Sequence, residues 1–183
     1  MKKVLILFAA AMVSYVANAQ FYAGGAVGLQ TGDRSSLTIA PEAGYNLNDD
    51  FSVGAVVGFI NETSKAGEFK NTTSELLINP YVRWNFMEWA PVQFFLDGSF
   101  EFSSVSTSIK QGDNKDSKTY SCMRLGIKPG ISIPVNEKLS FVGHLGFVGF
   151  ASVDDDLAGY RYEDGLCVEL SGNAILMGLY YKF

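Results

Sequence analysis

Two cysteines in 183 residues are too few for a disulfide framework. A single histidine, His144, confines any imidazole chemistry to one position. Proline is scarce, with 5 residues, as expected of a chain built from strands. Positive charge is also in short supply: 14 Lys and Arg against 19 Asp and Glu give a net charge of −5. No basic stripe remains to meet phosphates, which excludes nucleic acid as a partner. Beyond the first 19 residues, no apolar run approaches the roughly 20 residues of a membrane-spanning helix.

The N-terminus follows another plan. Met1-Lys2-Lys3 precedes an apolar run from Val4 to about Val16, then Ala17-Asn18-Ala19. A basic start, an apolar core and an A-x-A site describe a secretory signal peptide over residues 1–19. Cleavage would leave Gln20 first, with no cysteine there to be acylated. The domain would then be residues 20–183, and loss of Lys2 and Lys3 takes the charge from −5 to −7. An exported chain could oxidise its thiols. Whether Cys122 and Cys167 join is left open, because they sit on strands six and eight, nearly 10 Å apart across the intervening strand.

The abundant residues are Gly (19) and aromatics (14%), a composition that suits strands. Reading back from the C-terminus in steps of two gives Phe183, Tyr181, Leu179, Met177 and Ile175, one unbroken apolar face. The same alternation recurs from Phe21, Leu37, Phe51, Leu76, Val92, Met123 and Leu139, making eight segments. Leu139, Phe141, Leu145 and Phe147 are assigned one apolar face in the seventh. In the eighth, the phase slips near Ser171-Gly172-Asn173, where a β-bulge is expected. Short connections near Asn48-Asp49, Glu88–Pro91 and Asn136–Lys138 alternate with longer polar ones at Thr31–Ser35, Asn61–Thr72, Lys110–Tyr120 and Asp154–Gly165. The pattern predicts an all-β fold, an eight-stranded antiparallel up-and-down transmembrane barrel with both termini at the short-turn end.

A soluble eight-stranded barrel would reverse the faces. It would have to enclose Trp84, Phe86, Phe94, Phe100 and Phe147 in a lumen only about wide enough for side chains. The opposite face carries Glu42, Arg83, Asp97, Glu101, Arg124, Lys128 and His144 among Gly and Ser. Turning the rings to lipid and the small and polar residues inward resolves the conflict. Most rings then lie near one set of strand ends, as an interfacial girdle, with Phe59, Phe102 and Phe147 nearer the other.

On these residues the chain resembles the small outer-membrane β-barrel family, similar to the barrel of OmpA and to OmpX. More narrowly, it is similar to the porin-like barrels of Bacteroidetes. The resemblance covers residues 20–183, and its best motif is the terminal Tyr181-Lys182-Phe183. It implies a Gram-negative outer membrane, with its lipid and lipopolysaccharide as surroundings. It also implies periplasmic chaperones and the barrel-assembly machinery as partners, Tyr181 and Phe183 forming the assembly signal. A monomer is expected. No single activity goes with the family.

The inward charges should pair, because isolated charges in a narrow lumen are costly. Counting from the turns puts Glu42, Arg83, Asp97, Lys128 and His144 at one depth, with Glu101 and Arg124 higher. A packed salt-bridge plug is favoured over a gated polar path or proton relay. His144 could find Asp97 or Glu42, but it sits far from the outer rim and His144-Leu145-Gly146 lacks the His-x-Ser spacing of lipid A deacylases. Ala23–Gly28 is Gly-rich but opens no helix, which excludes a phosphate loop. The acidic loop Asp154–Asp164 lacks EF-hand spacing; its Tyr160 and Tyr162 are the first candidates for surface contacts. No catalytic residue, metal or cofactor is expected. The leading reading is a structural or surface-interaction barrel. A lipid-active enzyme at the outer rim and a narrow channel are the alternatives.

Overall fold

Strand-favouring residues at period two leave each segment with one face that must be covered and one that need not be. The computed structural model describes residues 20–30, 34–66, 69–111, 114–154, 164–169 and 176–183. The elements are β1 (Phe21–Gln30), β2 (Arg34–Asn46), β3 (Phe51–Ala66), β4 (Phe69–Trp89), β5 (Val92–Gln111) and β6 (Asn114–Pro134). They continue with β7 (Leu139–His144), β8 (Phe147–Val153), β9 (Gly165–Glu169) and β10 (Leu176–Lys182). β7 and β8 together form the seventh barrel strand, and β9 and β10 the eighth. Neighbours pair antiparallel throughout, and β1 meets β10 from Tyr22↔Lys182 to Ala26↔Gly178, closing the eight-stranded barrel. Closure there pairs the two strand edges that would otherwise be stranded in hydrocarbon.

Two of the three short turns are closed by asparagines. Asn48 Oδ1 accepts the Asp50 and Phe51 amides, and Asn136 Oδ1 accepts those of Lys138 and Leu139. The termini meet at the same end: the Phe183 amide donates to the Phe21 carbonyl at 3.1 Å.

Burial is inverted relative to a soluble protein. Val27, Trp84, Phe100, Leu125 and Phe150 are exposed, whereas Glu42, Arg83, Asp97, Glu101 and Arg124 are buried. At the short-turn end, Phe51, Trp84, Phe86 and Phe94 form a chain of ring contacts 5.7–6.5 Å apart, part of the expected girdle.

Three departures from the sequence reading have physical causes. First, Phe147 is 2% exposed and points inward, not to lipid. Gly130 faces His144 while Ile127 faces Val148, so strand seven carries one extra residue at Leu145-Gly146 and its phase inverts. Second, Asn61–Thr72 and Lys110–Tyr120 are largely strand: β3–β4 and β5–β6 stay paired to Ala66↔Phe69 and Gln111↔Asn114. Polarity there marks the exit from lipid, not the end of the sheet. Third, β4 holds one extra residue between Asn85 and Met87, which leaves both Phe86 and Met87 exposed.

In strand eight, Leu166 and Val168 face out before the break, and Met177 and Leu179 after it. The phase therefore slips as expected. The proposed bulge at Ser171–Asn173 lies outside the described residues, as do the leader 1–19, Tyr160 and Tyr162.

A glycine stands directly across the ladder from four of the large inward rings. Tyr180 lies over Gly24, Tyr22 over Gly44, Tyr81 over Gly54 and Phe95 over Gly130. A methyl group on Gly130 would stand 2.2 Å from the Phe95 ring, so the ring can lie across the lumen only because no side chain is there. Gly130→Val should therefore lower unfolding stability by about 1–3 kcal/mol through overpacking. Gly98→Val, whose nearest neighbour is 3.8 Å away, should leave the urea midpoint nearly unchanged.

Candidate functional site

Two polar clusters cross the lumen. In the lower one, β4 supplies Arg83 and β5 supplies Asp97, placed opposite each other by strand register. Arg83 Nε and Nη2 donate to the two Asp97 oxygens, each at 2.8 Å. This is the bidentate geometry that planar guanidinium and carboxylate groups favour. His144 Nε2 reaches Asp97 Oδ2 at 2.9 Å. Arg83 Nη2 also lies 3.5 Å from Glu42 Oε1. Glu42 accepts hydrogen bonds from the Tyr81 and Tyr180 hydroxyls, and the Tyr22 and Tyr81 hydroxyls are 2.6 Å apart. The Phe95 ring covers the guanidinium at 4.0 Å.

The upper cluster centres on Glu101. Lys128 Nζ lies 2.9 Å from Glu101 Oε2, and Arg124 Nη1 lies 3.2 Å from Oε1. Arg124 Nη2 reaches Glu169 Oε2 at 3.0 Å, and its guanidinium lies over the Phe147 ring at 4.0 Å. Asn79 accepts from Lys128 and donates to the Phe100 carbonyl. The inversion at Leu145-Gly146 is what brings Phe147 beneath Arg124.

All seven charged residues read from the sequence face the lumen, but Lys128 is not at the depth expected of its ammonium. Its backbone stands opposite Asp97. Asp97 is already engaged by Arg83 and His144, so the flexible Lys128 stem carries its charge up to Glu101. Sequence reasoning missed Tyr22, Asn79, Tyr81, Tyr180 and Glu169, together with Glu75, which is 1% exposed. Their inward phase was a signal, but a tyrosine on a mixed face does not announce a hydrogen bond across the lumen.

The lower cluster divides the interior. Above it is a cavity of about 220 Å³ reaching Glu101, Arg124 and Lys128. Below it is a vestibule of about 620 Å³ opening among Asn46, Asp49, Gln93 and Lys182. Tyr180 borders both. The partition consists of buried rings, the Arg83–Asp97 pair and Glu42, so the lumen is filled by side chains at this level. Cys122 and Cys167 are free thiols, the first buried and the second half-buried.

Comparison with known proteins agrees with this geometry. The family model described as an outer membrane protein beta-barrel domain matches residues 4–183. No curated protein matches the chain. Among solved structures, a major outer membrane protein from Thermus thermophilus is 17% identical with a TM-score of 0.54. That match covers 90% of this chain and 98% of the other. Ail, the attachment invasion locus protein of Yersinia pestis, is 12% identical with a TM-score of 0.51, over 89% and 94% of the two chains. At such identities these likenesses concern the fold.

Proposed function

The chain belongs to the outer membrane protein β-barrel domain family, and from that premise we propose a non-enzymatic, plugged barrel with a structural or surface-interaction role. The observation that carries this reading is the partition between the two cavities, in which Glu42, Arg83 and Asp97 are each engaged by charged or hydroxyl partners. Charges so engaged hold the wall in place. Purified protein in planar bilayers should give no resolved conductance steps; steady steps would favour a channel. A lipid A mass change that disappears when the gene is deleted would favour a lipid-active enzyme.

Several finer features belong to the same proposal. Residues 1–19 act as a cleaved leader, so the membrane-bound protein should begin at Gln20 on N-terminal sequencing. Tyr181 and Phe183 serve as the signal for the assembly machinery, delivered by periplasmic chaperones, and the barrel is a monomer. Their support is the packing of the two rings, centroids 5.3 Å apart, beside the strand that closes the barrel. Ail is named for attachment and invasion. For this chain, a surface role rests on the strands β3–β6 that continue past the apolar belt, with Tyr160 and Tyr162 as candidate contacts.

A further inference from the structure

Three apolar side chains break the polar pattern of the lumen. Val56, Ile60 and Leu77 take the inward phase of β3 and β4, within the runs Val56-Val57, Phe59-Ile60 and Leu76-Leu77-Ile78. Their neighbours Val57, Phe59, Leu76 and Ile78 are exposed on the lipid face, whereas the inward three are half-buried and line the upper cavity. Barrels of this kind keep apolar residues outside and polar ones inside, so apolar surface turned into the lumen calls for something to cover it.

A void stands against that surface. Gly178, Ala26 and Ala40 form one row across β10, β1 and β2, and none carries more than a methyl group. Leu77 lies over Gly58 on the neighbouring strand and leaves the middle of the lumen open. The cavity of about 220 Å³ exceeds the roughly 150 Å³ of an apolar protein cavity that takes up benzene.

The opposite wall is polar and sets the chemistry of the guest. Glu101 meets both Arg124 and Lys128, and Glu169 meets Arg124, so two cations face two carboxylates with no surplus of either sign. A charged guest would have to displace one of these partners. Lys128 nevertheless keeps a hydrogen to give. An ammonium has three N–H donors, and two of them go to Asn79 Oδ1 and Glu101 Oε2, each at 2.9 Å. Its side chain is 19% exposed, against 6% for Arg124 and Glu101. Water alone would satisfy that donor but would wet the apolar wall opposite.

We propose that the upper cavity binds an uncharged molecule of about single-ring size. Its apolar body lies against Val56, Ile60 and Leu77, and a carbonyl or hydroxyl oxygen accepts from Lys128 Nζ. The site is separate from the surface role proposed above and requires only the barrel that gathers these strands around one lumen.

The test uses the full barrel in phospholipid nanodiscs, with methyl-labelled Val, Ile and Leu followed by NMR. Three probes are titrated: acetophenone, α-methylstyrene, which has the same shape with a methylene in place of the oxygen, and benzoate. In the wild type, acetophenone should shift the Val56, Ile60 and Leu77 methyls to saturation. Val57, Leu76 and Ile78 report partition into lipid on the same strands and should shift without saturating. α-Methylstyrene should bind the inward site about tenfold more weakly, for want of the hydrogen bond to a charged donor. Lys128→Met keeps the stem and should weaken acetophenone by a similar factor while leaving α-methylstyrene unchanged, a split that general loosening of the lumen would not give. Ala40→Leu should fill the void and abolish saturable shifts with both. Inward methyls that merely track the outward ones in the wild type would overturn the proposal. So would benzoate binding as tightly as acetophenone, or acetophenone binding no more tightly than α-methylstyrene; these comparisons need no variant. Heat-modifiable gel migration reports folding of each protein separately, and its absence in the wild type would count against the barrel itself.

Discussion

Replacing Arg83 by methionine should lower the unfolding free energy by about 3–5 kcal/mol, one of the largest losses available to a single substitution in this barrel. Methionine follows the arginine stem but carries no charge. Asp97 would keep only His144 at 2.9 Å, and Glu42 only its two tyrosine hydroxyls. Both carboxylates are buried, Asp97 at 1% exposure, so water cannot take over the role of the guanidinium without reopening the partition. The cost is that of stranding a charge, and this gives the test its shape. Arg83→Met/Asp97→Asn removes the more buried of the two stranded charges as well, so the double variant should be more stable than Arg83→Met alone. Arg83→Lys retains charge but loses the paired 2.8 Å bonds, and should fall between them. Urea unfolding in micelles, followed by the fluorescence of Trp84 and Trp89, provides the comparison. Equal stability of the single and double variants would mean that packing of the arginine stem, and not charge, holds this level of the lumen.

Which parts of this were legible in the sequence follows from what period two can encode. Alternation gives face, so the inward set Glu42, Arg83, Asp97, Glu101, Arg124, Lys128 and His144 could be read from the chain alone. It also set the strand number, because each apolar face ends at a turn. Alternation does not give phase across an irregularity. A single extra residue at Leu145-Gly146 turned Phe147 from the lipid face to the lumen, and Gly146, with its positive φ, is one of 19 glycines and does not stand out among them. Nor does polarity mark the end of pairing: Thr63, Thr72, Ser117 and Thr119 read as loop because they lack apolar partners, yet they pair as strands above the belt. Side-chain reach is a third blind spot. Lys128 and Asp97 share a register position, but the ammonium travels to Glu101 because Asp97 is already engaged.

Tyr22→Ser/Tyr180→Ser should convert a silent barrel into one that conducts. Tyr180 borders both cavities, and Tyr22 lies beside it with ring centroids 6.0 Å apart. Each ring rests on a glycine, Gly24 or Gly44, so removing the rings leaves open wall at both positions. The cavities of about 220 and 620 Å³ would then join past the Arg83–Asp97 pair. In planar bilayers the variant should give resolved single-channel steps in molar potassium chloride, where the wild type gives none. Glu42 and Asp97 against Arg83 leave the constriction with an excess of negative charge, which should favour cations. Adding Glu42→Gln should abolish that preference without closing the path. The loss of two packed rings costs stability, so heat-modifiable migration must first establish that the variant is folded. A folded variant that stays silent would shift the seal upward, to the Glu101, Arg124 and Lys128 cluster and the Phe147 ring beneath Arg124. Phe147→Ala, added to the same background, would then be the substitution expected to open the lumen.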